Sequence, residues 1–201
     1  MVKKRKLKVV IWAAVIFLLL IISASVVTIL FSRDDNITPP DNVEYNFDFY
    51  DPDYEADILS DDEYLSLDRT ILYKIGAITT AFDEKNGSAD KVVKFIADYI
   101  DAMVMGDYEL YPSFFSEKYK SNNKIPEKFT MQRVYNITIE KLDEEYVDGH
   151  YKYTYWLEYS ISKNDGTLRS DMGSDAMRPQ YLIITEQDGS FLINEIYYHM
   201  Y

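Results

Sequence analysis

The stretch from Ser88 to Lys120, SADKVVKFIADYIDAMVMGDYELYPSFFSEKYK, places the tightest limit on what this chain can fold into. Val92, Val93, Phe95, Ile96, Tyr99, Ile100, Met103 and Val104 fall on the i, i+3, i+4, i+7 stripe of a helix with one buried face. Lys91, Lys94, Asp98 and Asp101 fall largely on the opposite face. Ser88 is placed to cap the first turn, because its hydroxyl accepts from an orphan backbone N–H, and Asp90 stands where a negative charge complements the helix dipole. Gly106 is the natural stop, since glycine enters the left-handed region without a Cβ clash. Eight apolar side chains at about 1.5–3 kcal/mol each make a gross burial term of about 12–24 kcal/mol. Ordering entropy offsets most of it, yet no other soluble segment offers as much, so the fold is expected to build against this face.

Downstream of the glycine the chain turns aromatic. Pro112 and Ser113 restart a turn of helix that buries Phe114 and Phe115, and Ile125-Pro126 breaks the pattern. From Phe129 the apolar period falls to two. Met131 to Glu140, Tyr151 to Ile161, Tyr181 to Thr185 and Phe191 to Tyr197 read as strands, with turn signals at Asp148-Gly149, Asn164-Asp165-Gly166 and Asp188-Gly189. Leu168 to Arg178 is polar and reads as a bulged or looped segment. Upstream, RTILYKIGAITTAF reads as a strand or small hairpin about Gly76. The expected fold class is α+β: an N-terminal transmembrane helix, then a long amphipathic helix packed on a curved antiparallel sheet of about four strands.

The transmembrane expectation rests on Val9 to Phe31, 23 residues without a charge. As a helix they span ~34 Å, against a hydrocarbon core of about 30 Å. Lys3, Lys4, Arg5, Lys6 and Lys8 precede them, so the positive-inside rule puts the N-terminus in the cytoplasm and the C-terminal domain outside the cell membrane. The rival is a cleaved signal peptide, for which Ser23-Ala24-Ser25 supplies small residues, although Val26 to Phe31 carries the apolar run on past them. The boundaries expected are a cytoplasmic tail (1–8), the transmembrane helix (9–31), an acidic linker (32–68) and one α+β domain (69–201).

Charge is divided unevenly. The chain carries −13 in all, while residues 1–33 hold six basic side chains and no acidic one. So acidic a remainder disfavours nucleic acid as a partner. Asp34 to Asp68 holds 13 acids and no base, the composition of an extended, self-repelling tether, although Tyr45, Phe47, Phe49, Tyr50 and Tyr54 interleave with the acids as a solvated linker does not require. Within it Asp51, Asp53, Glu55, Asp57 and Asp62 fall at positions 1, 3, 5, 7 and 12 of a calcium loop, but Ala56 stands where that loop needs glycine and Pro52 occupies the second position. A tether is the plainer account. With no cysteine the chain forms no disulfide, thiolate metal site or lipoprotein anchor.

No catalytic motif stands out. His150 sits beside a hairpin turn and His199 near the end of a strand, and neither has zinc spacing. Asp98 and Asp101 stand three apart on the polar helix face, where a solvated pair is the simpler reading. Tyr153, Tyr155 and Tyr159 form a stripe at spacing two, with Trp156 opposite; such a stripe serves as core or as a partner surface. No nucleotide-binding glycine loop and no GxSxG elbow occurs. The sequence therefore nominates no catalytic, cofactor-binding or metal residue and no cofactor.

The order of VVKFIADYIDAMVMGDYELYPSFFSEKY and the terminal FLINEIYYHMY resembles the nuclear transport factor 2-like superfamily, of cystatin-like α+β fold, over about Asp90 to Tyr201. With its anchor the chain also looks like small membrane proteins of Gram-positive bacteria and accessory subunits of envelope complexes. The resemblance implies a curved sheet closing over the helix as a cone. It transfers no function, because that fold hosts isomerases, dehydratases and inert scaffolds alike. The expected function is a non-enzymatic extracytoplasmic interaction or scaffold domain that binds a protein partner or a second copy of itself. The alternative is a small-molecule-binding or enzymatic domain that uses the cone, favoured if an ionisable group lies inside it behind an opening.

Overall fold

In the computed structural model the chain divides into Met1–Glu44 and Tyr45–Tyr201, and residues 47–83, 90–187 and 189–198, all in the second unit, are described. Three short helices, α1 (Asp62–Leu65), α2 (Lys91–Val104) and α3 (Glu117–Asn122), accompany six strands. The strands are β1 (Ile71–Ile75), β2 (Ile78–Ala81), β3 (Arg133–Val147), β4 (His150–Ser162), β5 (Gln180–Gln187) and β6 (Ser190–Tyr198). They form one sheet in the order β2-β1-β3-β4-β5-β6. All neighbours are antiparallel except β1 and β3, which run parallel.

This corrects the expectation of a long helix on a four-stranded antiparallel sheet. The sheet is mixed and has six strands, because the hairpin β1–β2 about Gly76 pairs with β3, Ile71 opposite Ile137. The stretch expected to run from Ser88 as a long helix yields α2, of 14 residues, then a 3-10 turn (Tyr111–Phe114) and α3. Ser88 lies outside the described residues; the cap is Asp90, whose carboxylate accepts from Val92 N at 2.9 Å.

The membrane expectation is corrected as well. Among the described residues no helix is long and apolar enough to cross a membrane. The longest, α2, spans only ~21 Å and carries Lys91, Lys94, Asp98 and Asp101. The single-pass transmembrane helix expected over Val9 to Phe31 lies outside the described residues.

Local chemistry explains the elements. Helix α2 ends in a Schellman arrangement, with Gly106 at φ +63°, Asp107 N donating to Ala102 O at 2.9 Å and Gly106 N to Met103 O at 3.2 Å. Strands β3 and β4 meet at Asp148 (φ +52°) and Gly149 (φ +87°), the positive pair that a tight hairpin turn demands. Asn136, at φ +53°, marks a register shift in β3 that re-aims its inward face from Val134 to Ile137 and Ile139. The core joins Val92, Val93, Ile96, Tyr99, Ile100 and Met103 of α2 to Tyr155, Leu157, Tyr159 and Ile161 of β4 and to Leu182, Ile184 and Ile193. The tyrosine stripe of β4 is thus core.

Residues 47–68, part of the stretch expected as a linker, lie on the domain. Ile58 and Tyr64 are buried, and the Tyr64 hydroxyl donates to Val134 O at 3.0 Å. Arg133 pairs with Asp61 at 3.0 Å and Lys163 with Glu63 at 2.6 Å. The interleaved aromatics anchor the strap: a Cβ on Gly166 would sit 3.0 Å from the Phe49 ring, and one on Gly173 3.2 Å from the Phe47 ring.

Candidate functional site

An open cavity of about 700 Å³ lies where two loops meet the helices and the sheet. Tyr99 of α2, Tyr111 and Phe115, Tyr119 of α3, the segments 124–128 and 166–170, Gln180 of β5, and Ile196 and Tyr198 of β6 line it. Lys124, Glu127 and Lys128 are exposed and mark its mouth. Its aromatic wall is continuous. The Tyr99 and Tyr111 rings stack at 5.4 Å and their hydroxyls lie 3.0 Å apart, while Phe115 stacks on Tyr119 at 4.7 Å.

The polar end is built by the loop after β4. Asn164 is fully buried and donates to Arg169 O at 2.8 Å and Met172 O at 2.7 Å, while its own side-chain oxygen accepts from Gly166 N at 3.0 Å. Those bonds fold residues 164–172 so that Arg169, only 4% exposed, reaches inward. Its Nε and Nη2 donate to the two Asp171 carboxylate oxygens at 2.7 and 2.9 Å, and Nη1 donates to the Tyr159 hydroxyl. The Asp171 carboxylate is shared with Arg178 at 2.9 Å, and the Tyr198 ring takes the Arg169 guanidinium at 5.4 Å and that of Arg178 at 4.8 Å. Bidentate pairing and ring faces together let a guanidinium remain charged in the interior.

The electrostatics hold the tyrosine hydroxyls and the Asp171 carboxyl each in one protonation state. Burial pushes the Tyr99, Tyr111, Tyr119 and Tyr198 hydroxyls up, so they stay protonated and act as donors. Burial alone pushes the Asp171 carboxyl up, but its bonds to Arg169 and the charges of both guanidiniums more than offset this and hold it below the usual carboxylate range. One atom is left over. Gln180 is 1% exposed, and its Oε1 is buried without a hydrogen-bond partner. Unmet buried acceptors are rare, since each forfeits a desolvation cost of about 1–3 kcal/mol.

The residues weighed from sequence fall elsewhere. His150 is exposed in the β3–β4 hairpin and does not line the cavity, and His199 lies outside the described residues. Asp98 is exposed and takes a bond from Lys94 at 3.0 Å, and Asp101 is exposed on the same helix. Two acids of the calcium-loop pattern serve the backbone, Asp53 accepting from Glu55 N and Asp57 from Leu59 N, and the neighbouring Asp61 caps α1. Among the described residues no group of three or more His, Cys, Asp or Glu side chains is placed to hold a metal ion. Sequence reasoning missed Arg169, Asp171, Gln180 and Tyr198. The only hint was an Arg-Ser-Asp triplet in a segment read as a polar loop.

Comparison of the chain with protein-family models, with curated proteins and with solved structures finds no match in any of the three. The nuclear transport factor 2-like resemblance therefore rests on the quoted residues alone.

Proposed function

We propose that this domain is a non-catalytic binding domain whose cavity, between α2 and the sheet, receives a small organic ligand. The observation that carries this is that Gln180, whose buried Oε1 has no hydrogen-bond partner, lines a cavity together with Arg169, Lys124 and Lys128. A volume of about 700 Å³ is in the range of small-molecule sites, and its wall sets aromatic and aliphatic side chains beside Lys124, Glu127, Lys128, Arg169 and Gln180. Binding is favoured over catalysis because proton transfer needs a group poised near the working pH. The buried tyrosines are shifted away from that range upward and Asp171 downward. Ligand-observed NMR of the full chain against a fragment set tests the reading. Fragments are expected to bind the parent and to lose at least tenfold in affinity to Ile196→Trp, which fills the cavity from β6. Unchanged binding to a folded Ile196→Trp variant overturns it.

A second reading, contact with a protein partner or another copy, is favoured by the tip of the β3–β4 hairpin. There Tyr146 is 66% exposed and its ring meets Tyr151 edge-on at 5.0 Å, beside exposed Leu142 and Val147. Aromatic rings held in water are the usual material of interface anchors. Light scattering of the full chain and of the Tyr146→Ser/Tyr151→Ser double variant tests it. Self-association that the double variant abolishes is the expected result, and the same mass for both at every concentration removes the self-contact.

A further inference from the structure

The chemistry of the cavity wall goes further than binding alone and, on the pocket reading above, names a class of ligand. A guanidinium carries five N–H groups. In Arg169 three are committed, two to Asp171 and one to Tyr159, which leaves two. Asp171 is itself divided between Arg169 and Arg178, so its one negative charge serves two guanidiniums. Around Arg169 the wall is rich in donors. In the Tyr99–Tyr111 pair only one hydroxyl hydrogen is used between the two oxygens, so one remains. Against these donors, among the described residues, Gln180 Oε1 is the buried side-chain acceptor that lacks a partner. The charge is also local. Lys124, Lys128 and Arg169 line the cavity against Glu127 alone, in a chain whose net charge is −13. An acidic protein that gathers cations at one concave site has the reverse of its own overall field there, and such a site concentrates anions.

We propose that the cavity selects organic anions that have an apolar body: an acid group accepts from the uncommitted Arg169 N–H groups, and a hydroxyl or amide N–H of the same ligand donates to Gln180 Oε1. Phe115, Ile125, Leu168 and Ile196 receive the body. A cation is disfavoured because Lys124, Lys128 and Arg169 outnumber Glu127 around it, and a neutral amide offers one acceptor where a carboxylate offers two.

The test uses phenylacetate and 4-hydroxyphenylacetate, each beside its primary amide, with tyramine as the cation, titrated into the full chain by NMR. Each acid is expected to bind at least tenfold more tightly than its amide, 4-hydroxyphenylacetate more tightly than phenylacetate, and tyramine not at all. Because loss of the Arg169 side chain removes its buried bonds to Asp171 and Tyr159 and threatens folding, the variant that decides is Gln180→Glu, equal in size and bringing a negative charge. It is expected to weaken the acids at least tenfold and the amides by less than threefold. Amides that match the acids, with both lost in Ile196→Trp, overturn the anion class and leave the pocket standing. Acids that fail to bind at millimolar concentration overturn the class too. Binding that ignores Ile196→Trp overturns the pocket itself.

Discussion

Replacing Ile96 with aspartate abolishes the folded domain. Ile96 is 0% exposed at the centre of the buried face of α2, within the core that Tyr155, Leu157 and Leu182 close from the sheet. Deleting an aliphatic side chain there costs about 2–5 kcal/mol. A polar group left without a partner in the core costs roughly 2–7 kcal/mol more, even after the carboxyl has taken up a proton. The sum reaches the whole stability of an ordinary domain, about 5–15 kcal/mol. Circular dichroism of Ile96→Asp is expected to show no cooperative melt, while Ile96→Val, at about 0.5–1.5 kcal/mol, keeps one. A melt of Ile96→Asp at the parent's temperature would remove α2 from the core.

Gly106→Ala is expected to cost about 3–5 kcal/mol, far more than the same change at Gly76. Both glycines have positive φ, +63° and +55°, so both lose roughly 1–2 kcal/mol on gaining a side chain in the left-handed region. The difference is what the new methyl meets. At Gly76 nothing lies within 4 Å, whereas at Gly106 the Cβ would stand 2.8 Å from Met131 N and 3.1 Å from Thr130 C. Those are backbone atoms of the segment leading into β3, and Gln132 N donates to Met103 O at 3.1 Å to tie that segment to the end of α2. The clash cannot be relieved without moving the helix end off the sheet. Denaturant midpoints at constant slope measure both losses. Equal losses at the two positions would show that conformation alone, and no close approach, requires glycine at 106.

Local periodicity made several elements legible. The apolar stripe of α2 is a property of fourteen consecutive residues, and its buried side chains are largely those the 3.6 spacing selects. Asp148-Gly149 forms its hairpin turn for a similar reason, since the two positive φ angles are a demand that adjacent residues meet by themselves. The parallel pairing of β1 with β3 was not legible. Ile71 and Ile137 are far apart in the chain, and nothing in ILYKI says which strand it joins. The acids of residues 51–62 misled for a related reason. Composition reports their charge, but not that Asp57 and Asp61 cap short helical turns or that Ile58 and Tyr64 carry the segment into the core.

The candidate site lay wholly on the far side of this divide. Arg169 reads as one cation in a polar run, and becomes a site only where Asn164 folds the loop, Asp171 pairs with it and Tyr198 arrives from β6. Gln180 reads as the polar start of a strand, and only the fold buries its oxygen and sets the residue in one cavity wall with Tyr99 of α2 and Tyr119 of α3. By itself the sequence determined the elements whose signal is short in range: the helix face, the alternating strands, the turn glycines, the overall acidity. Only the tertiary structure decided which strands pair, that residues 47–68 pack on the domain, and that four tyrosines, an arginine and a glutamine share one cavity. Hydrogen bonding and burial between residues distant in the chain depend on the whole fold, whereas propensity and periodicity do not.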